Sequence, residues 1–169
     1  MPAFKWDIAS VKALETKYEK DFVNYTSSAG MMGPRGEIAN GEARRIGAAT
    51  MWGLNTDKDA LYLNYNGGHD AKVAYKATYQ VPENNAFWSI TMYGGDGYMK
   101  TENCILNSST VKLNPEGTFT VYYGSKELCG DVPNRLDVTE GWNFLMRVYN
   151  PGPSVLSGSY NLPKAEPVK

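Results

Sequence analysis

Beyond Gly53, apolar residues recur at every second position, in short runs rich in Tyr, Val, Thr and Phe that clusters of Gly, Pro and Asn interrupt about every ten residues. Runs this short leave no room for long helices. Successive side chains of a strand point to opposite faces, so such runs bury one face each when they pair as antiparallel strands. The clearest cases are Ala86–Tyr93, where Trp88, Ile90 and Met92 alternate with Phe87, Ser89, Thr91 and Tyr93, and Trp142–Asn150, where Trp142, Phe144, Met146 and Val148 oppose Asn143, Leu145, Arg147 and Tyr149. Further strands are expected at Asp59–Tyr65, at Lys72–Val81 with Val73, Tyr75, Ala77 and Tyr79 on one side, and at Thr110–Asn114 and Thr118–Gly124 around the turn Pro115-Glu116-Gly117. Trp88 and Trp142 each start the apolar register of a central strand, which predicts that both are buried and lie close together.

The first fifty residues follow a different period. Behind Ser10, a residue suited to capping, Val11, Leu14, Tyr18, Phe22 and Tyr25 recur at three- and four-residue steps, the spacing of an amphipathic helix. Gly30, Gly33, Pro34 and Gly36 break the chain, and a second helix is expected from Asn40 to Met51, with Ile46 and several alanines inward and Arg44-Arg45 toward water. The expected architecture is mainly all-β, an antiparallel sandwich of about eight strands preceded by two short helices. It forms one domain over 1–169, divided into a helical segment 1–53, a β-sandwich 54–160 and a loose, proline-punctuated tail 161–169.

Charge and residue counts narrow the chemistry. Seventeen basic residues against eighteen acidic ones leave no cationic excess for phosphodiester backbones or anionic lipid, so neither nucleic acid nor membrane is an expected partner. The start, MPAFKWDIASVK, has no apolar run, and no eighteen apolar residues follow one another anywhere, as expected of a soluble, cytoplasmic protein. Cys104 and Cys129 read as two free thiols, and with His69 as the single histidine the chain has few ligands for a zinc site. No metal or cofactor is expected. His69 follows Gly67-Gly68 and reads as a solvated imidazole in a turn. Gly94-Gly95-Asp96-Gly97 lacks the following helix of a phosphate loop and the alternating carboxylates of a calcium loop, and reads as a hairpin turn joining Tyr93 to a strand from Tyr98.

Four segments together carry a resemblance: Asp59–Tyr62 (DALY), Ala86–Met99 (AFWSITMYGGDGYM), Leu113–Gly124 (LNPEGTFTVYYG) and Gly141–Val168. In order and spacing they resemble the domain of unknown function 1214, over the chain from about Glu42 to its end. The resemblance implies a jelly-roll-like β-sandwich with helices at one end and brings no activity with it. In most members this domain is the C-terminal half of a longer protein whose first half is the domain of unknown function 1254, so the present chain is expected to be a stand-alone version or a fragment. Members usually carry an Arg-Tyr-Ser-Ile-Gly-Asp-Arg-like segment after the hairpin. Here Glu102–Ser108 stands in its place with the charges lost or reversed.

The apolar stripes belong to the interior. Their opposite faces bring Ser89, Thr91, Tyr93, Asn143, Arg147 and Tyr149 together if the two strands are neighbours. Tyrosines, hydroxyls and one guanidinium suit a carboxylated or planar ligand, a sugar, or another subunit of a homo-oligomer. The first functional reading is therefore a non-catalytic binding or assembly module with a Tyr/Arg-lined sheet face. The alternative is a hydrolase-like or carbohydrate-active enzyme using two of Asp96, Glu116, Asp131, Asp137 and Glu140, which requires a convergent carboxylate pair. No Gly-x-Ser-x-Gly elbow supports a serine hydrolase.

Overall fold

The computed structural model describes residues 6–38, 40–51 and 53–168. Residues 1–5, 39 and 52 of the expected helical segment and residue 169 of the tail lie outside the described residues. Two helices come first, α1 (Ile8–Phe22) and α2 (Gly41–Thr50). They are followed by β1 (Ala60–His69), β2 (Tyr75–Tyr79), β3 (Trp88–Tyr93), β4 (Ile105–Asn107), β5 (Phe119–Tyr123), the one-turn helix α3 (Lys126–Cys129), β6 (Arg135–Leu136), β7 (Trp142–Tyr149), the one-turn helix α4 (Pro153–Leu156) and β8 (Glu166–Pro167). The chain is mostly β. Its strands form two open four-stranded sheets, one in the order β1-β7-β3-β4 and the other β6-β5-β2-β8. All pairs are antiparallel except β5 with β6, which corrects the expectation of a purely antiparallel arrangement.

The core lies where the apolar registers of both sheets meet. Trp88, Ile90, Met92, Trp142, Phe144, Met146 and Val148 are buried, as the alternation requires, and pack with Tyr79, Phe119, Val121 and Tyr123 of the second sheet. Many of the contacts are ring on ring: Tyr65 lies 4.5 Å from Phe144, Trp88 4.7 Å from Phe119 and Trp142 4.8 Å from Tyr123 between centroids. The two tryptophans are nevertheless not neighbours. β3 runs antiparallel to β7 with Trp88 opposite Val148, so residues that begin the two strands lie at opposite ends of the sheet.

Other local expectations are corrected by side-chain hydrogen bonds. Asp7, not Ser10, caps α1: its carboxylate accepts from the Ala9 amide, and the Ser10 hydroxyl itself donates to Asp7. Thr110–Asn114 is not a strand. The amide of Lys112 donates to Asn134 Oδ1 at 2.8 Å and its carbonyl accepts from Asn134 Nδ2 at 2.7 Å, so a side chain takes the place of a neighbouring strand. The hairpin turn at Gly94–Gly97 is present, with Gly97 at φ 80° and the Gly94 amide donating to the Tyr98 carbonyl, but the next strand begins at Ile105. The tail is not loose throughout: β8 pairs with β2, and Ala165 is buried with its amide donating to the Tyr65 hydroxyl. His69 is not a solvated turn residue either. It ends β1, its ring stacked 4.6 Å from Tyr75, with the Tyr65 hydroxyl 3.2 Å from its Nε2.

The helical segment covers the margin of the first sheet. Residues 26–28 run along β1 through hydrogen bonds to Tyr62 and Asn64, shielding an edge that would otherwise stay unpaired. α1 packs on α2, with Lys17 reaching Asp21 and Glu42. The apolar stripe expected on α1 is only partly used: Tyr18 and Phe22 are half-buried, while Val11 and Leu14 remain exposed.

Candidate functional site

The face of the β1-β7-β3-β4 sheet turned away from the core carries all six residues singled out by alternation. Register places Arg147 between Tyr62 of β1 and Ser89 of β3, Tyr93 opposite Asn143, and Tyr149 opposite Ala60. The centre of the face is Arg147. An arginine in an otherwise apolar strand must find acceptors, and here it runs along β3 to find them: Nη1 donates to Thr91 Oγ1 at 3.0 Å and Nη2 to the Tyr93 hydroxyl at 2.6 Å. Its guanidinium carbon stands 5.9 Å from the centroid of the Tyr93 ring. Both acceptors are neutral. Among the described residues this half-buried group forms no ion pair.

The other members divide between this centre and structural work. Tyr149 stacks on Phe87 at 4.4 Å, forming an aromatic platform two residues along β7 from Arg147. Thr91 is buried, whereas Tyr93 and Ser89 remain half-buried. Asn143 turns to the hairpin, where its Nδ2 donates to the Gly94 carbonyl at 3.2 Å, so it braces the turn rather than joining the arginine. Tyr62 belongs to the face and was not singled out. Its hydroxyl accepts from Asn55 at 2.9 Å and donates to the Gly53 carbonyl, fastening residues 53–55 beside Arg147; burial pushes its phenol up from the ordinary value, opposed in part by the Arg147 charge. The alternation within Asp59–Tyr65 puts Tyr62 and Asn64 on one side, a signal that could have found them. That β1 is the neighbour of β7 is not written in that run.

Each of the five candidate acids has a partner of its own. Asp96 pairs with Lys100, whose hydrogen bond holds its carboxyl below the usual range; Asp131 pairs with Lys126, and Asp137 with Arg135. Glu116 accepts from the Thr118 hydroxyl, and Glu140 from the Ala71 amide at 3.2 Å. Each serves its own turn or loop, as acids in turn sequences commonly do. Among the described residues, no group of three or more His, Cys, Asp and Glu is placed to hold a metal ion, and no helix is long and apolar enough to cross a membrane.

The family model described as "Protein of unknown function (DUF1214)" matches residues 50–153. Among solved structures, the chain is similar to the VPA0106 protein from Vibrio parahaemolyticus, with a TM-score of 0.69 and 23% identity over 99% of this chain and 47% of that one. The chain thus spans about half the length of that relative, and at this identity the likeness concerns the fold alone. An uncharacterized protein from Burkholderia cenocepacia superposes with a TM-score of 0.42 and 15% identity, over 68% of this chain and 29% of that one. No curated protein matches.

Proposed function

The chain belongs to the DUF1214 family of proteins of unknown function, and from that footing we propose that it is a non-catalytic binding or assembly module whose Tyr/Arg-lined sheet face recognises a carboxylate. One observation carries the reading: the Arg147 guanidinium is held in place by two neutral hydroxyls and has no acid opposite it among the described residues. A half-buried guanidinium held in one place, with more N–H groups than the two hydroxyls use, favours an anion, and a carboxylate accepting from it forms charge-assisted hydrogen bonds worth about 1.5–3 kcal/mol. The Phe87–Tyr149 platform beside it suits a planar or sugar-like body attached to that carboxylate. The engagement of each of the five acids by its own partner favours this reading over a carboxylate-pair enzyme. The strand order, with β7 between β1 and β3, supports a jelly-roll-like description of the two sheets.

The test titrates the protein and Arg147→Ala with sodium benzoate and sodium glucuronate while following backbone amides by NMR, and measures association state by sedimentation. The expected result is a carboxylate-dependent shift centred on Thr91, Tyr93 and Arg147 that Arg147→Ala abolishes with the fold intact. If the carboxylate is presented by another copy, the variant instead loses self-association. A parent that binds neither salt and sediments like the variant overturns the proposal, and so does unfolding of Arg147→Ala, which would make the guanidinium a structural partner.

A further inference from the structure

Away from that sheet face, the loop after α1, the N-terminal end of α2 and the turn Thr56–Lys58 enclose a groove of about 480 Å³, within the size range of small-molecule sites. Its apolar wall is formed by Met32, Pro34, Ile38 and Ala43. Its polar side holds Asp57, whose two oxygens differ sharply. Oδ2 accepts from the Gly30 amide at 2.8 Å, whereas Oδ1 is closed off from solvent and has no hydrogen-bond partner among the described residues. Asp57 forms no ion pair there either. Among the described residues the other charged side chains on the groove are Glu37 and Lys58, so the described lining carries one more formal negative charge than positive.

We propose that this groove binds a small organic ammonium, an amine cation with an apolar body, whose N–H donates to Asp57. A buried carboxylate oxygen without a donor costs free energy in the empty site, and a charge-assisted hydrogen bond from an ammonium recovers more of it than a neutral donor does. The apolar body then lies against Met32, Pro34 and Ile38, removing their surface from water. A half-turn of the carboxyl only exchanges its two oxygens, so an ammonium reaches the unpartnered position when the Asp57 side chain, which stands on the groove wall, shifts toward it. A hard metal cation fits less well, because it requires more oxygen ligands than Asp57 and Glu37 supply.

The experiment titrates benzylamine, benzyl alcohol and sodium benzoate into the full chain and follows backbone amides by NMR. Benzylamine is expected to shift Gly30, Ile38 and Lys58 saturably, to bind at least about tenfold more tightly than benzyl alcohol, and to lose about tenfold in affinity in Asp57→Asn, which keeps an acceptor for Gly30. Ile38→Trp, which fills the groove without touching the carboxylate, is expected to exclude the amine and keeps the test open should Asp57→Asn fail to fold. Equal binding of the alcohol, shifts centred elsewhere, or an affinity indifferent to Asp57→Asn and Ile38→Trp overturns the proposal. Arg147→Ala leaves benzylamine binding unchanged, so this result and that of the sheet face are read separately.

Discussion

At the scale of single residues, the interior is governed by how polar tips are satisfied inside an aromatic core. The Tyr79 and Tyr123 hydroxyls meet at 2.8 Å with both rings fully buried. Tyr79→Phe or Tyr123→Phe alone strands the other hydroxyl and is expected to cost about 1–3 kcal/mol, while the double variant costs less than the sum of the two. Denaturant unfolding of the four proteins checks this, and strict additivity would contradict it. Trp142 is held differently: its indole nitrogen has no hydrogen-bond partner among the described residues, so its contribution comes from packing against Tyr65, Tyr75 and Tyr123. Trp142→Ala is expected to cost about 3–5 kcal/mol, read as a lowered denaturant midpoint with a similar slope. A variant that melts with the parent would remove Trp142 from the core. The stripes that led to Trp88, Trp142 and Arg147 were legible because side-chain alternation is a property of the extended backbone itself. The capping of α1 by Asp7 and the bracing of Lys112 by Asn134 were less so, since several nearby side chains compete for the same amides.

Among the elements, α2 rests on two local devices. Asn40 accepts from the amides of Glu42 and Ala43 at the helix start, and Asn40→Ala is expected to cost about 0.5–2 kcal/mol. Gly47 lets the helix approach the loop: a Cβ there would stand 2.9 Å from Met31 Sδ and 3.0 Å from Leu54 Cδ1. Gly47→Val is therefore expected to destabilise by about 1–3 kcal/mol through overpacking, and a thermal melt at or above the parent's would show that Met31 yields freely. The glycine looks like a helix defect in the sequence, because Met31 reaches it from across a loop of no regular structure. The α1 stripe shows the converse: Val11 and Leu14 have the spacing of a buried face, but only the half that carries Tyr18 and Phe22 is partly buried. Amphipathic spacing marks the side available for packing and does not state how far a partner extends along it.

Over the whole molecule, stability should end on the alkaline side through the tyrosines of the core. Burial pushes Tyr65, Tyr79, Tyr123 and Tyr160 up from the ordinary phenol value, so the folded state holds these protons more tightly than the unfolded chain does. Stability is then unaffected by these groups below the unfolded pKa of about 10 and is lost as pH rises past it toward the folded values. The expected observation is that part of the phenolate absorbance appears only with loss of the folded circular dichroism signal; all tyrosines ionising near pH 10 with the fold intact would contradict it. What the sequence alone determined is which side chains of each strand face inward and that the chain is mostly β, because a period of two and the turn chemistry of glycine, proline and asparagine act within a few residues. Only the tertiary structure decided that β7 lies between β1 and β3, that Trp88 and Trp142 sit at opposite ends, that Arg147 meets two hydroxyls, and that Asp57 closes on Gly30 beside a groove. These depend on which distant segments pair and in what register, and that is settled by the joint burial of both sheets rather than by any one run of residues.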